Sequence, residues 1–338
     1  MRRHVLIAAV GAALAAGGIA GTPAPAGAAP VFNDAESSLS STTALGYSGP
    51  GCSQSNPSTS PDQEVPIPEN GGAATVTAAA SNTVQGAPGD SVAASASLSG
   101  TARVASTGDQ PRSVDVAVAG QVAATSQKPV SACFAGPAAR VDAYLEFTLA
   151  RPVYARVELS HGGPSVGYLG MSSGPSAGLS LNVGSARSSR SLHVYLPAGS
   201  YELSYNEVVG DSTNASRQAA TSTAVHIEFW APGAATAAPA GKGLKYLTLP
   251  PTASCTGHGV DAAVTSKHKR AGKIKQVELF VDDARVAKVK HPKKGAVVHL
   301  PVAPGAAIEL RTEITLEPRA KGRKPKTVTA TASYEACP

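Results

Sequence analysis

Apolar and polar residues alternate with a period of two through much of this chain, the signature of strands that present one dry face and one wet face. The alternation is clearest at Val141, Ala143, Leu145, Phe147 and Leu149, which interleave with Asp142, Tyr144, Glu146 and Thr148. It returns at Val153, Ala155, Val157 and Leu159, and again at Leu192, Val194 and Leu196, which the turn Pro197-Ala198-Gly199-Ser200 joins to Tyr201, Leu203 and Tyr205. Val225, Ile227 and Phe229 make a further strand ahead of Trp230, and TVTAAASNTV, SVAASASLSG and SVDVAVAG repeat the pattern upstream with smaller side chains. Near the C-terminus, Ile308, Leu310, Ile314 and Leu316 alternate with Glu309, Arg311, Glu313 and Thr315, and Val328, Ala330, Ala332 and Tyr334 form a last strand. Many short strands divided by Gly/Pro turns predict an all-β fold, and long amphipathic helices are excluded.

Composition changes this picture in one respect. Of 338 residues only 4% are aromatic and 15% charged, and the 42% hydrophobic share is carried mainly by Ala and Val. Cores built from such residues are thin and need covalent help. Four cysteines supply it: chain order alone permits three connectivities, and the segregation of Cys52 and Cys133 from Cys255 and Cys337 favours one disulfide in each half. The compartment fits. Arg2 and Arg3 precede an apolar run from Val5 to Ala20, and Ala26-Gly27-Ala28 offers a small-x-small cleavage site, so residues 1–28 read as a signal peptide and the mature chain as secreted or extracellular, with no transmembrane span.

The remainder divides by composition and charge. Residues 29–70, rich in Ser, Pro, Gly and Asn, read as irregular and pinned only at Cys52; 71–230 as a first sandwich; 231–249 as an Ala/Pro/Gly linker; and 250–338 as a second sandwich. From Ala29 to Gly241 there are 9 Lys and Arg against 15 Asp and Glu, whereas from Lys242 to Pro338 there are 18 against 8. Such asymmetry points to an anionic partner for the second half.

Two phrases carry family resemblances. FTLARPVYARVELS (147–160) and LHVYLPAGSYELSY (192–205) resemble secreted bacterial jelly-roll domains, including pre-peptidase C-terminal-like and carbohydrate-binding modules, which implies a jelly-roll-like, non-catalytic first sandwich. KQVELFVDDARVAKVK (275–290) is similar to the strand-hairpin-strand phrase of bacterial immunoglobulin-like domains, with Asp283 where that family has Gly; Asp tolerates the positive φ of such turns. The resemblance implies an immunoglobulin-like second sandwich of six or seven strands.

Catalytic signals are weak. The strings Gly163-Pro164-Ser165-Val166-Gly167 and Gly174-Pro175-Ser176-Ala177-Gly178 match G-x-S-x-G, but Pro precedes each Ser and no helix follows, so both read as exposed loops, as does His161. Trp230 reads as a core residue. No spacing suits a metal or cofactor, and none is expected. The cationic residues are more telling. If strands from 252 to 336 run antiparallel in succession, the first, third and fifth connections share one pole of the sandwich. They hold Lys267, Lys269, Arg270, Lys273 and Lys275; Lys288, Lys290, Lys293 and Lys294; and Arg319, Lys321, Arg323, Lys324 and Lys326, 14 of the 18 basic residues of this half. The sequence therefore reads as a secreted, non-catalytic, envelope-associated or adhesive protein whose basic pole meets an anionic cell-envelope polymer or acidic glycan, with no specific nucleic acid as partner. A glycan-binding accessory module is the alternative, and a hydrolase is disfavoured for want of a triad or carboxylate pair.

Overall fold

A computed structural model describes residues 31–33, 36–173, 177–183, 188–210, 212–256, 259–301, 305, 307–318 and 324–337; the expected signal peptide at 1–28 lies outside them. The chain is all-β. Two sheets face each other in the first sandwich. One runs, in spatial order, β10 (Ala177–Val183), β9 (Val166–Ser173), β12 (Gly199–Gly210), β7 (Phe134–Leu149), β1 (Ser38–Ser48) and β3 (Gln63–Pro66). The other runs β11 (Ser188–Leu196), β8 (Val153–Gly162), β13 (Arg217–Trp230), β6 (Gln110–Ser126), β5 (Ser91–Thr107), β4 (Ala74–Gln85) and β2 (Ser53–Thr59). Numbered from β6 to β13, eight consecutive strands stand first-eighth-third-sixth in one sheet and second-seventh-fourth-fifth in the other, the order of a jelly roll. The remaining five strands widen both sheets.

Small residues explain how strands so poor in large side chains pack. β5 turns Val92, Ala94, Ala96, Leu98, Ala102 and Val104 inward, and at Gly100 a Cβ would come within 2.5 Å of Val141 on the facing sheet. The sheets close on each other there because the residue has no side chain. Bulk gathers instead at one place: the Phe147 ring lies 5.8 Å from Phe32 and 5.5 Å from both Tyr201 and Phe229. Cys52 and Cys133 are bonded beside this sandwich's smaller cluster of Val84, Val92 and Ala135.

In the second sandwich β14 (Leu247–Thr248), β15 (Gly259–Val264) and β18 (Val297–Pro301) pack on β17 (Ala284–Lys290), β16 (Ile274–Val281), β19 (Ile308–Leu316) and β20 (Lys326–Tyr334). Its core includes Leu247, Val260, Leu279, Leu300, Ile314 and Tyr334, whose hydroxyl donates to the Pro250 carbonyl at 3.0 Å. Asp282 and Asp283, at φ 47° and 64°, make the two-residue turn that joins β16 to β17. The Cys255–Cys337 bond ties the two ends of this domain together.

Two expectations about the connecting segments fail. Residues 38–66 are not irregular: β1 pairs with β7 along all eleven of its residues, and β2 pairs with β4. Ladder bonds use backbone, so Ser-rich segments can join a sheet when their inward hydroxyls find acceptors, and buried Ser41 donates to the Thr77 carbonyl. Pro57 is tolerated because it sits at a register shift in an edge strand. Nor is 231–249 a free linker. Ala235 bridges Tyr334, Ala240 bridges Thr331, and Leu247 and Leu249 are buried in the second core. A Cβ on Gly241, already at φ 109°, would meet the Thr329 carbonyl oxygen at 2.5 Å, so the small residues that mimic a linker permit this docking. Leu249 and Ala253, at the ends of the LPPTA stretch that follows, are buried in the same core.

Candidate functional site

The short helix His268–Ala271 and the residues flanking it form the first of the basic connections, and hydrogen bonds fasten that connection to the others. The Lys273 carbonyl accepts from Glu317 N–H at 2.7 Å, the Lys275 carbonyl from His291 N–H at 2.8 Å, and the Ala296 carbonyl from Val264 N–H at 2.8 Å. His291 Nδ1 also lies 3.6 Å from Glu317 Oε1. Connections 265–273, 291–296 and the described part of 317–325 thus touch at one end of the sandwich. At the other end Gly305 N–H donates to the Cys337 carbonyl and Asp282 N–H to the Glu309 carbonyl, beside the two aspartates of the hairpin turn.

Lys267, Lys269, Arg270, Lys273, Lys293, Lys294, Lys324 and Lys326 are all exposed at the basic end. Lys275 and Lys290 extend the cationic surface along β16 and β17. Lys288 does not contribute free charge: its Nζ lies 3.2 Å from Glu278, which also takes Arg285 at 3.0 Å. Burial pushes the Glu278 carboxyl up, but hydrogen bonds from Lys288 and Arg285 outweigh it and hold the group below its ordinary value. Arg319, Lys321 and Arg323 lie outside the described residues. Lys245 belongs to this end too, its carbonyl facing Arg270 Nη1 at 3.5 Å; its placement in a supposed linker hid it from the sequence reading.

Ser165 and His161 are not exposed loop residues. His161 lies on β8 and is 5% exposed, with Nδ1 2.7 Å from Thr223 Oγ1 and Nε2 without a partner. Ser165 is fully buried and donates to Glu207 Oε1 at 2.5 Å, while the Tyr205 hydroxyl donates to Oε2 and Thr221 Oγ1 lies 3.4 Å from Oε1. Burial, then the neighbouring carboxylate, drives the Tyr205 phenol far above its usual range, which keeps it a donor. Sheet periodicity explains the miss: the residues meet only because β8, β12 and β13 bring them between the two sheets. Ser176, of the second G-x-S-x-G string, lies outside the described residues.

Trp230 is not in the core either. Phe229 points inward, so Trp230 shares the outward face of β13 with His226 and Glu228, and it stands across from Tyr154. A groove of about 510 Å³ there is lined by Trp230, Arg112, His226 and Glu228. Burial disfavours charge on His226, but hydrogen bonds to Asp115 and Glu228, together with their charges, raise its pKa overall. Along the same face the His193 ring stacks on Tyr154 at 5.0 Å, and its Nε2 meets buried Glu335 of the C-terminal segment at 2.9 Å.

Among the described residues no group of His, Cys, Asp and Glu is arranged to hold a metal ion, and no helix is long and apolar enough to cross a membrane. These features define an all-β, disulfide-bonded double sandwich with a cationic end. No family model and no curated protein matches the chain. Among solved structures it is similar to the adhesin domain of Epf from Streptococcus pyogenes, at 10% identity over 64% of this chain and 78% of that one, with a TM-score of 0.20. A likeness that slight fixes neither family nor role.

Proposed function

We propose that this is a secreted, non-catalytic, envelope-associated or adhesive protein whose second sandwich binds anionic polymers through its basic end. One observation carries the reading: lysines from separate connections, together with Arg270, gather on one exposed surface, where the described carboxylate neighbours are too few to neutralise them. A polyanion that spans several of these cations releases its own counterions on binding, so affinity falls steeply with salt. The two disulfides suit an oxidising compartment. The test is retention of the full mature chain on immobilised heparin over a salt gradient. Replacing Lys269, Arg270, Lys293 and Lys294 by Ser is expected to move elution to much lower salt with an unchanged circular dichroism spectrum. Elution of this variant at the wild-type salt concentration refutes the reading.

A second reading, a glycan-binding face on the first sandwich, is favoured by the outward Trp230 and its charged groove. Titrating neutral oligosaccharides against Trp230 fluorescence tests it; a signal that no sugar moves rejects it.

A further inference from the structure

The mouth of the second sandwich opens at the same basic end. Leu316 and Val328, each 8% exposed, close the core there, and above them lies a cavity of about 350 Å³. Tyr246 forms one wall, and Lys273, Lys324 and Lys326 stand around the opening. The topology accounts for this grouping. Leu316 pairs with Lys326 at the last register position of β19 and β20, so Lys326 sits where the apolar row of the sheet runs out into solvent. Lys273 ends the first connection beside Ile274, which itself pairs with Leu316. Tyr246 arrives from the segment ahead of β14 and is half-buried against the core.

Three properties of the cavity narrow its ligand. First, none of the three lysines has an ion partner among the described residues, and the one carboxylate in the wall, Glu317, faces His291 at 3.6 Å. Second, every described cation at the opening is a lysine. The guanidinium fork matches carboxylate and phosphate alike, whereas three ammonium point charges set around an opening can meet a tetrahedral oxyanion from different directions. Third, the floor is apolar and one wall aromatic, a surface that receives the carbon skeleton of a ring rather than a bare ion.

We infer that this cavity seats a phosphorylated sugar unit, with the phosphate held by Lys273, Lys324 and Lys326 and the sugar ring against Tyr246, Leu316 and Val328. The inference rests on the polyanion reading and adds to it a defined subsite: the surrounding cations draw the polymer in, and the cavity selects its phosphate-bearing unit.

The experiment uses the full mature chain, labelled with nitrogen-15, and glucose 1-phosphate as probe, with glucuronate and inorganic phosphate as comparators. Saturable amide shifts around Tyr246, Lys273 and Lys326 are expected with glucose 1-phosphate, with weaker binding of the other two. The exposed pair Lys273→Met and Lys326→Met should weaken glucose 1-phosphate by about tenfold or more, from the loss of charge-assisted hydrogen bonds. The Ser variant at Lys269, Arg270, Lys293 and Lys294 should retain it. Glucuronate bound as tightly as glucose 1-phosphate overturns the phosphate assignment, and inorganic phosphate bound as tightly overturns the role of the apolar wall. No saturable binding of glucose 1-phosphate, with heparin retention intact, overturns the subsite and leaves the polyanion reading standing. Loss of both brings down the two together.

Discussion

Glu207 is a carboxylate sealed between two sheets, and its removal measures what a buried polar cluster costs when half dismantled. In Glu207→Ala the Tyr205 hydroxyl loses its carboxylate acceptor while remaining out of water, whereas the Ser165 hydroxyl keeps Thr221 Oγ1 within hydrogen-bond reach. Thr221 suffers less, because its Oγ1 also donates to the Gly162 carbonyl at 3.1 Å. An orphaned buried hydroxyl costs about 1–3 kcal/mol, so the substitution should destabilise by roughly that much. Against a total of about 5–15 kcal/mol for an ordinary domain that loss is large. Glu207→Gln keeps one acceptor oxygen and offers an amide that can donate to the other hydroxyl, so it should cost under about 2 kcal/mol. The triple change Glu207→Leu, Ser165→Ala and Tyr205→Phe removes donors and acceptor together and should recover most of the loss seen in the single Ala variant.

The assay is urea unfolding followed through Trp230, the one tryptophan of the chain and the last residue of β13. Its fluorescence reports on the sandwich that holds Glu207. A Glu207→Ala midpoint within about 0.5 kcal/mol of wild type would refute the reasoning, since surface changes alone do as little. So would equal damage from Gln and Ala, which would make the charge, rather than the count of acceptors, the quantity that matters.

Two further predictions concern pH and covalent closure. Asp90 accepts from the Ser131 hydroxyl and from Ala132 N–H at 3.2 Å, and these bonds hold its carboxyl below its ordinary value; its stabilisation is therefore complete above the unfolded pKa of about 3.9 and is lost as pH falls through the lower folded value. Urea midpoints from pH 2 to 6 should fall less steeply at the acid end in Asp90→Asn, and parallel curves would discard the idea. Cys255 and Cys337 are 82 residues apart, so closing that loop is worth about 4.5 kcal/mol in the chain-entropy model. The double Ser variant should lose a comparable amount in the second sandwich's transition, and a loss under about 1 kcal/mol would mean that packing of the 231–249 segment alone holds the ends together.

What sequence could reveal here follows from which interactions repeat along the chain. Alternation at Val141–Leu149 or Ile308–Leu316 is local, so the strands and their inward faces are legible without knowing their neighbours. The lysine-rich connections are legible for the same reason, because charge runs are contiguous. Legibility fails where identity and environment part company. Ser41 and Ala235 have side chains too small or too polar to announce a sheet, yet their backbones pair with it, since ladder bonds are indifferent to side chain. Trp230 has the composition of a core residue, but β13 has already spent its inward position on Phe229, and period two forces the next residue outward. Ser165 and Glu207, 42 residues apart, become neighbours only through the jelly-roll order of β8, β9, β12 and β13. The same logic governs the lysine cavity. Lys273 and Lys326 are legible as members of charge runs, but that they share a mouth with Tyr246 depends on the supposed linker folding back onto β20, which small residues allow and no apolar pattern signals.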